Sequence, residues 1–468
     1  MRRWPIAAAL VAGPVAGALF PPPAAAHGIV SRTDLPIPVW LFGWAAAVVL
    51  VVSFVALAAL WPTPRLQGEV PRRRLFRMPV AVDVLLGAAG VAALGVTVYA
   101  GIAGVQDPLG NLEPTVIYVV FWVGLVVASV LFGDIWRVIS PWRAIARGVS
   151  WISSRVSSGE APAALEYPEW LGRWPAAAGI LFFAWVELTY VHKEDPSTLA
   201  IMVLAYVVVM LVGMALYGIE TWSQRADPFG VYFGLFARLA AFERRDRVVY
   251  ARPPLAGAPK LELWPGTIAL LCVAIGSTTF DGLENGPLWT AVRPHLISFF
   301  GGGLTGEQWG STIGLLVCVG VVAVFYRLAV GGMSEVGEGH TPSELARQFA
   351  HTLIPIAFAY ALAHYFSLLV FQGQAMAHLI SDPLGHGSDI FGTSHTGINF
   401  NVISASGIWY VQVAALVIGH VCGLVLAHDR AIAMYRDVRD AVRSQYWMLV
   451  VMVGFTSLGL WLLSAVNT

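Results

Sequence analysis

Ten apolar stretches, at about 38–61, 79–103, 115–136, 174–190, 199–218, 264–280, 311–330, 346–370, 404–427 and 446–465, are separated by more polar connections. Each is close to the roughly 20 residues a helix needs to cross the hydrocarbon core of a bilayer. The pattern predicts an all-α, polytopic transmembrane helical bundle of about ten spans. The cations sharpen this picture. Arg72–Arg74, Arg137, Arg143, Arg147, Arg238, Arg244, Arg252, Arg436 and nearly every other Lys or Arg fall in alternate connections, whereas only Arg32, Lys193 and Arg293 fall in the others. Cation-rich connections stay in the cytoplasm. Connections 104–114, 191–198, 281–310 and 371–403, with the mature N- and C-termini, are therefore expected outside.

The first 26 residues read as a signal peptide: Arg2 and Arg3, an apolar run from Trp4 to Phe20, the Pro21–Pro23 break, and Ala24–Ala26 as a cleavage site. Cleavage there leaves His27 first and 27–468 as a single transmembrane helical domain. An uncleaved anchor is the alternative, and it too leaves Arg32 and Asp34 outside. Composition agrees with a lipid environment, at 57% hydrophobic and 12% charged, where a soluble domain carries roughly a quarter charged residues. The basic connections are a topology signal and give no reason to expect nucleic-acid binding. Cys272, Cys318 and Cys422 all fall inside spans without CxxC spacing, which argues against a disulfide framework, a thiolate zinc site or an iron–sulfur cluster.

Two inner connections hold FGDIWRVISPWRAIAR (132–147) and RADPFGVYFGLFARLAAF (225–242). Their mixture of aromatics and Arg predicts helices lying in the interface, with Arg reaching headgroup phosphates. Asp134 and Arg137 have i,i+3 spacing for a pair, and Asp227 before Pro228 resembles a helix start.

These two strings, with HGIVSRTDLPIPVWLFGWAAAVVLVVSFVALAALWPTPRL (27–66), HTLIPIAFAYALAHYFSLLVFQGQ (351–374) and VIGHVCGLVLAHDRA (417–431), resemble bacterial membrane proteins of the fenitrothion hydrolase family. The resemblance runs over most of the length. It implies a multi-pass protein of the bacterial cytoplasmic membrane that hydrolyses organophosphorus triesters, small apolar synthetic substrates that need not be the physiological one, whose aryl leaving group could partition into the lipid interface. It brings no assignment of catalytic residues.

Candidate residues come from the sequence itself. HExxH, GxSxG and P-loop signatures are absent. Ionisable residues within spans are costly, so Glu187, His364 and His420 stand out. Glu187 and His364 lie about one turn below the outer surface, and Asp281 follows Ser277, Thr278 and Thr279 where the sixth span ends. Glu187, Asp281 and His364 are the expected catalytic cluster, holding a divalent metal or acting as general base. Alternatively, Asp281 caps the next helix. The connection 371–403 adds His378, His386 and His395, possible ligands with His364 for zinc, iron or copper, although their spacings of eight and nine match no compact ligand motif. His27 could chelate copper through its amine and imidazole. His351 and His420, at comparable depth near the inner side, could hold a haem or relay protons. Two further classes thus stay open beside the hydrolase: a transporter or proton-coupled permease, and a haem- or copper-binding membrane protein.

Overall fold

The computed structural model describes residues 39–156, 164–336 and 339–466. The expected leader, its cleavage site and His27 lie outside the described residues. The structure is almost wholly helical. In chain order, α1 is Val39–Leu60, α2 Val80–Ala103, α3 Leu112–Phe132, α4 Pro141–Val156, α5 Trp174–Thr189, α6 Pro196–Tyr217, α7 Ile219–Arg225 and α8 Pro228–Ala237. Then come α9 Thr267–Glu284, α10 Pro287–Phe299, α11 Gly303–Ser334, α12 Pro342–Phe349, α13 Leu353–Ser381, α14 Ala405–Met434 and α15 Val438–Val466.

Eight helices are long and apolar enough to cross a membrane: α1, α2, α3, α6, α9, α11, α14 and the continuous run of α12 and α13. The other two predicted stretches are helical as well, but α5 has only 16 residues and α15 carries Asp440, Arg439 and Arg443 in its first turns. Large apolar side chains stand exposed along the spans, among them Val48, Val52 and Val55 on α1, Val208, Val209 and Val212 on α6, and Val317 and Val324 on α11. Faces this apolar are incompatible with water and fit a lipid surround. The chain is a multi-pass membrane protein.

The most enclosed span is α9, packed by α5, α11, α13 and α15. Its small residues permit this close approach, since a Cβ added at Gly276 would press into the Val319 backbone of α11. Beside it, α13 packs along α14 and α3. Within α3 the turns of Val116–Gly124 are π-helical, a form found mostly near functional sites.

The connections sort into two faces. On one, Trp61 and Arg65 reach Asp429, Arg137 reaches Glu220, and Arg430 reaches the Pro259 carbonyl. On the other, Val105 and Leu112 bond to the 383–384 backbone, Tyr118 to Lys193, and Ser197 to Gln106. The first face gathers the arginine-rich connections. It also carries a three-stranded antiparallel sheet that the all-α expectation did not include: β1 (Arg73–Arg77) and β2 (Phe242–Arg245) flank β3 (Val248–Ala251), with Arg73 and Phe242 both opposite Ala251. Pairing satisfies backbone groups that these short segments could not bond internally.

The interfacial reading of 225–242 is corrected. Eight of the ten residues of α8 are buried, including Phe229, Tyr232, Phe233 and Phe236, and the helix packs against α3, α5 and α13. A helix apolar on all sides belongs in a core. The expected helix start at Asp227 is present, its carboxylate accepting from Gly230 N at 3.0 Å. Asp134 and Arg137 do not form the expected side-chain pair: Asp134 accepts from the Arg137 backbone at 3.2 Å, and the Arg137 guanidinium goes to Glu220. The connection expected over 371–403 is shorter, because α13 continues to Ser381.

Candidate acid–base site

Three helices bring the polar groups together at the end opposite the arginine-rich face. The last turns of α5 and α9 carry Glu187 and Asp281, while α13 supplies His364 and Tyr365. His364 Nε2 bonds Asp281 Oδ2 at 2.9 Å, with the two side chains only 15% and 17% exposed. The Tyr365 hydroxyl lies beside both Asp281 and Glu187, and Lys193 is within electrostatic range of the same two carboxylates. Asp281 therefore pairs with His364 instead of capping α10.

A small cavity adjoins His364, bordered by Thr278, Thr279, Tyr360, Leu416 and Gly459, with a volume of about 20 Å³. That is room for one water. With Nε2 directed at Asp281, Nδ1 is the nitrogen left for proton transfer. A carboxylate, an imidazole and a water-sized space constitute the minimum for general-base activation of water.

The expected metal ligands do not converge. Among the described residues no group of three or more His, Cys, Asp or Glu side chains is placed to hold a metal ion. His378 sits in the last turn of α13, whereas His386 and His395 are exposed in the following loop. The acids of this loop are occupied in folding it. Asp382 accepts from the backbones of His386 and Gly387, and Asp389 from Ser381 Oγ and Ser394 N. Bonds from Ser394 and Ser381 hold the Asp389 carboxyl below its ordinary value.

His351 and His420 are also separate. His351 lies beside the backbone of Leu426, six residues along α14 from His420, or about 9 Å of helix rise. His420 donates through Nδ1 to the Leu416 carbonyl at 2.7 Å and faces the Tyr360 ring. The cavity it borders holds about 60 Å³, far below the roughly 300 Å³ at which sites for cofactor-sized ligands begin. The residues present do not fit a bis-imidazole haem.

Several polar residues escaped the sequence reading. Glu113 is fully buried at the start of α3, with neither carboxyl oxygen bonded. It falls in the connection 104–114 expected outside, just before the span predicted from 115, so nothing in the sequence signalled its burial. Tyr365 is an ordinary aromatic in an apolar run, and only its neighbour His364 signalled it. On the arginine-rich face, Glu220 accepts from Arg137, Arg143 and Arg147 at 2.8, 2.5 and 2.9 Å. Asp227, already read as a helix start, also accepts from Trp142 Nε1 and Tyr206 Oη, each at 2.8 Å.

Compared with protein-family models, curated proteins and solved structures, the chain gives no match.

Proposed function

We propose that this chain is a membrane-embedded hydrolase of aryl phosphotriesters whose acid–base centre is the Asp281–His364 pair. The observation that carries the reading is the 2.9 Å bond between them, beside a space for one water. In this reading the chain crosses a bacterial cytoplasmic membrane ten times, with α5 and α15 as the two further spans. The arginine-rich face is cytoplasmic. A leader removed after Ala26 leaves both mature ends on the side of the site.

Asp281 accepts a hydrogen bond from Nε2–H and so fixes the imidazole tautomer and ring orientation. Nδ1 then takes a proton from water as the water oxygen bonds to phosphorus. The phosphorus–oxygen bond to the aryl group breaks, and the departing aryloxide takes both electrons and the proton from the His364 imidazolium. Asp281, bonded to Nε2, supplies the negative charge that stabilises the imidazolium while it exists.

The test is release of nitrophenolate from a nitrophenyl dialkyl phosphate by purified protein in nanodiscs. Asp281→Asn and His364→Gln should each reduce kcat by roughly 10²–10⁴-fold, the usual worth of general acid–base catalysis, with thermal midpoints close to wild type. Absence of turnover in the wild type, or full turnover in both variants, defeats the reading. One observation favours a second reading, a proton-coupled permease: from His364 the polar groups continue through Tyr360 to His420 and its cavity. Proton-driven solute uptake by proteoliposomes without product formation would select it.

A further inference from the structure

Behind the arginine-rich face, α8, the ends of α4 and α5, and the sheet enclose a cavity of about 280 Å³. Six arginines and four carboxylates line it. Two of these carboxylates are already committed, and Glu220, outside the lining, pairs with Arg143 at 2.5 Å. Asp227 is filled by Trp142, Tyr206 and Gly230, and Glu243 is shared among Arg72, Arg245 and Arg252.

Two guanidinium groups are left with donors to spare. Arg143 and Arg173 are 3% and 6% exposed. Arg143 spends its terminal nitrogens on the Arg137 carbonyl and Glu220, and Arg173 spends Nη1 on the Glu262 carbonyl and Thr267. The Nε of each is buried without a partner among the described residues. Such an N–H is costly unless an acceptor reaches it. Burial pushes the Arg173 guanidinium down to about 10, which still leaves it a cation at neutral pH.

The wall opposite is bare. Gly234 of α8 lines the cavity, and a Cβ built there would meet nothing within 4 Å. An anion can therefore approach the helix backbone while the arginines face it from other elements. Guanidinium groups arriving from several directions suit a group with three or four oxygens better than the two of a carboxylate.

We infer that this cavity binds a phosphate-class oxyanion, gripped by Arg143 and Arg173 in the space that Gly234 leaves open. A soluble phosphate ester and the headgroup of an anionic phospholipid share this chemistry. The inference is independent of the acid–base site at the other end of the bundle.

The experiment uses the full chain in two arms. In detergent, inorganic phosphate or glycerol 3-phosphate is titrated against chloride at matched ionic strength while the thermal midpoint is followed. In nanodiscs, retention of phosphatidylglycerol is compared with that of phosphatidylcholine by native mass spectrometry. A saturable rise of the midpoint identifies the soluble ester, and selective retention of phosphatidylglycerol identifies the lipid. Arg173→Gln should weaken whichever effect is seen by roughly tenfold or more, as loss of a charge-assisted bond implies. Because Arg173 also ties down the 262–267 segment, Gly234→Leu is the second variant, filling the cavity from a position whose Cβ touches nothing. It should abolish the effect while the protein still folds. Equal midpoints in phosphate and chloride with no lipid preference overturn the inference, as does an effect of the same size in Gly234→Leu.

Discussion

Asp429 bears more structural load than any residue singled out from the sequence on its face. Buried completely in α14, it accepts from Trp61 Nε1 at 2.9 Å, Arg65 N at 2.6 Å, Leu66 N at 3.0 Å and Gln67 Nε2 at 3.0 Å. One carboxylate thereby fastens the connection after α1 to the end of a helix more than 360 residues later. Asp429→Ala removes all four acceptors. The Leu66 amide is buried and loses its bond outright, at a cost of about 1–3 kcal/mol. The other three donors are only part-buried and recover some hydration, so each costs about 0.5–1.5 kcal/mol. The expected loss is about 3–7 kcal/mol. Asp429→Asn keeps one oxygen, which can turn toward Leu66 and Gln67 and sacrifice the Trp61 and Arg65 bonds, for a smaller loss of about 1–3 kcal/mol. The assay is SDS-driven unfolding of detergent-solubilised protein followed by tryptophan fluorescence. Both variants unfolding within about 1 kcal/mol of wild type, or Asn proving worse than Ala, would refute the reasoning, because each requires that the four bonds contribute almost nothing net.

Glu220 gives a pH dependence. Burial raises its carboxyl, but Arg143, Arg137 and Arg147 outweigh that and hold it below the ordinary 4.5. Its stabilisation is therefore present above 4.5 and fades as pH falls through the depressed value; Glu220→Gln should lower the thermal midpoint at pH 7 and converge with wild type only once the pH has fallen through that depressed value. With Glu220 half exposed, the gap at neutral pH should stay near or below about 1 kcal/mol. Glu113→Met removes a buried carboxyl with no partner and should preserve stability or raise it by about 1–2 kcal/mol in the same SDS assay; a clear fall would mean the carboxyl is bonded. Cysteines placed at Asp107 and Arg244 should react with an impermeant maleimide from opposite sides of sealed vesicles, since their connections lie on opposite faces; labelling from one side contradicts that arrangement.

The spans were readable because a bilayer imposes one requirement on every crossing, an apolar run of sufficient length. Asp281 and His364 were readable for a related reason: an ionisable group in such a run has to be paired, and here the two pair with each other. What the sequence concealed was set by packing at a distance. PFGVYFGLFA looked interfacial because arginines flank it, although its apolar character on every side already favoured a core position. RRLFR carries too many charges to read as a strand, and it becomes one only when Val248–Ala251 comes alongside. His378, His386 and His395 shared a connection in sequence, but α13 extends to Ser381 and separates the first from the other two.

A single helix connects the two polar ends of the molecule. At the acid–base end α13 contributes His364 and Tyr365, and in mid-span Tyr360 donates to the Phe455 carbonyl of α15 at 2.7 Å. Near the arginine-rich end its Phe358 ring meets Phe236 of α8, with centroids 6.2 Å apart. The same α8 exposes Gly234 to the arginine cavity, two residues before Phe236. Packed apolar contacts of this kind resist gradual deformation. A displacement of α8 that alters the cavity therefore presses on α13 only six residues from the imidazole bonded to Asp281. The hydrogen bond from Tyr360 opposes that movement, because sliding α13 against α15 would leave a hydroxyl without its acceptor in a lipid-surrounded core. The bundle thus holds its acid–base pair in register through a helix that is fixed to α15 at its middle and braced by α8 nearer the arginine-rich face.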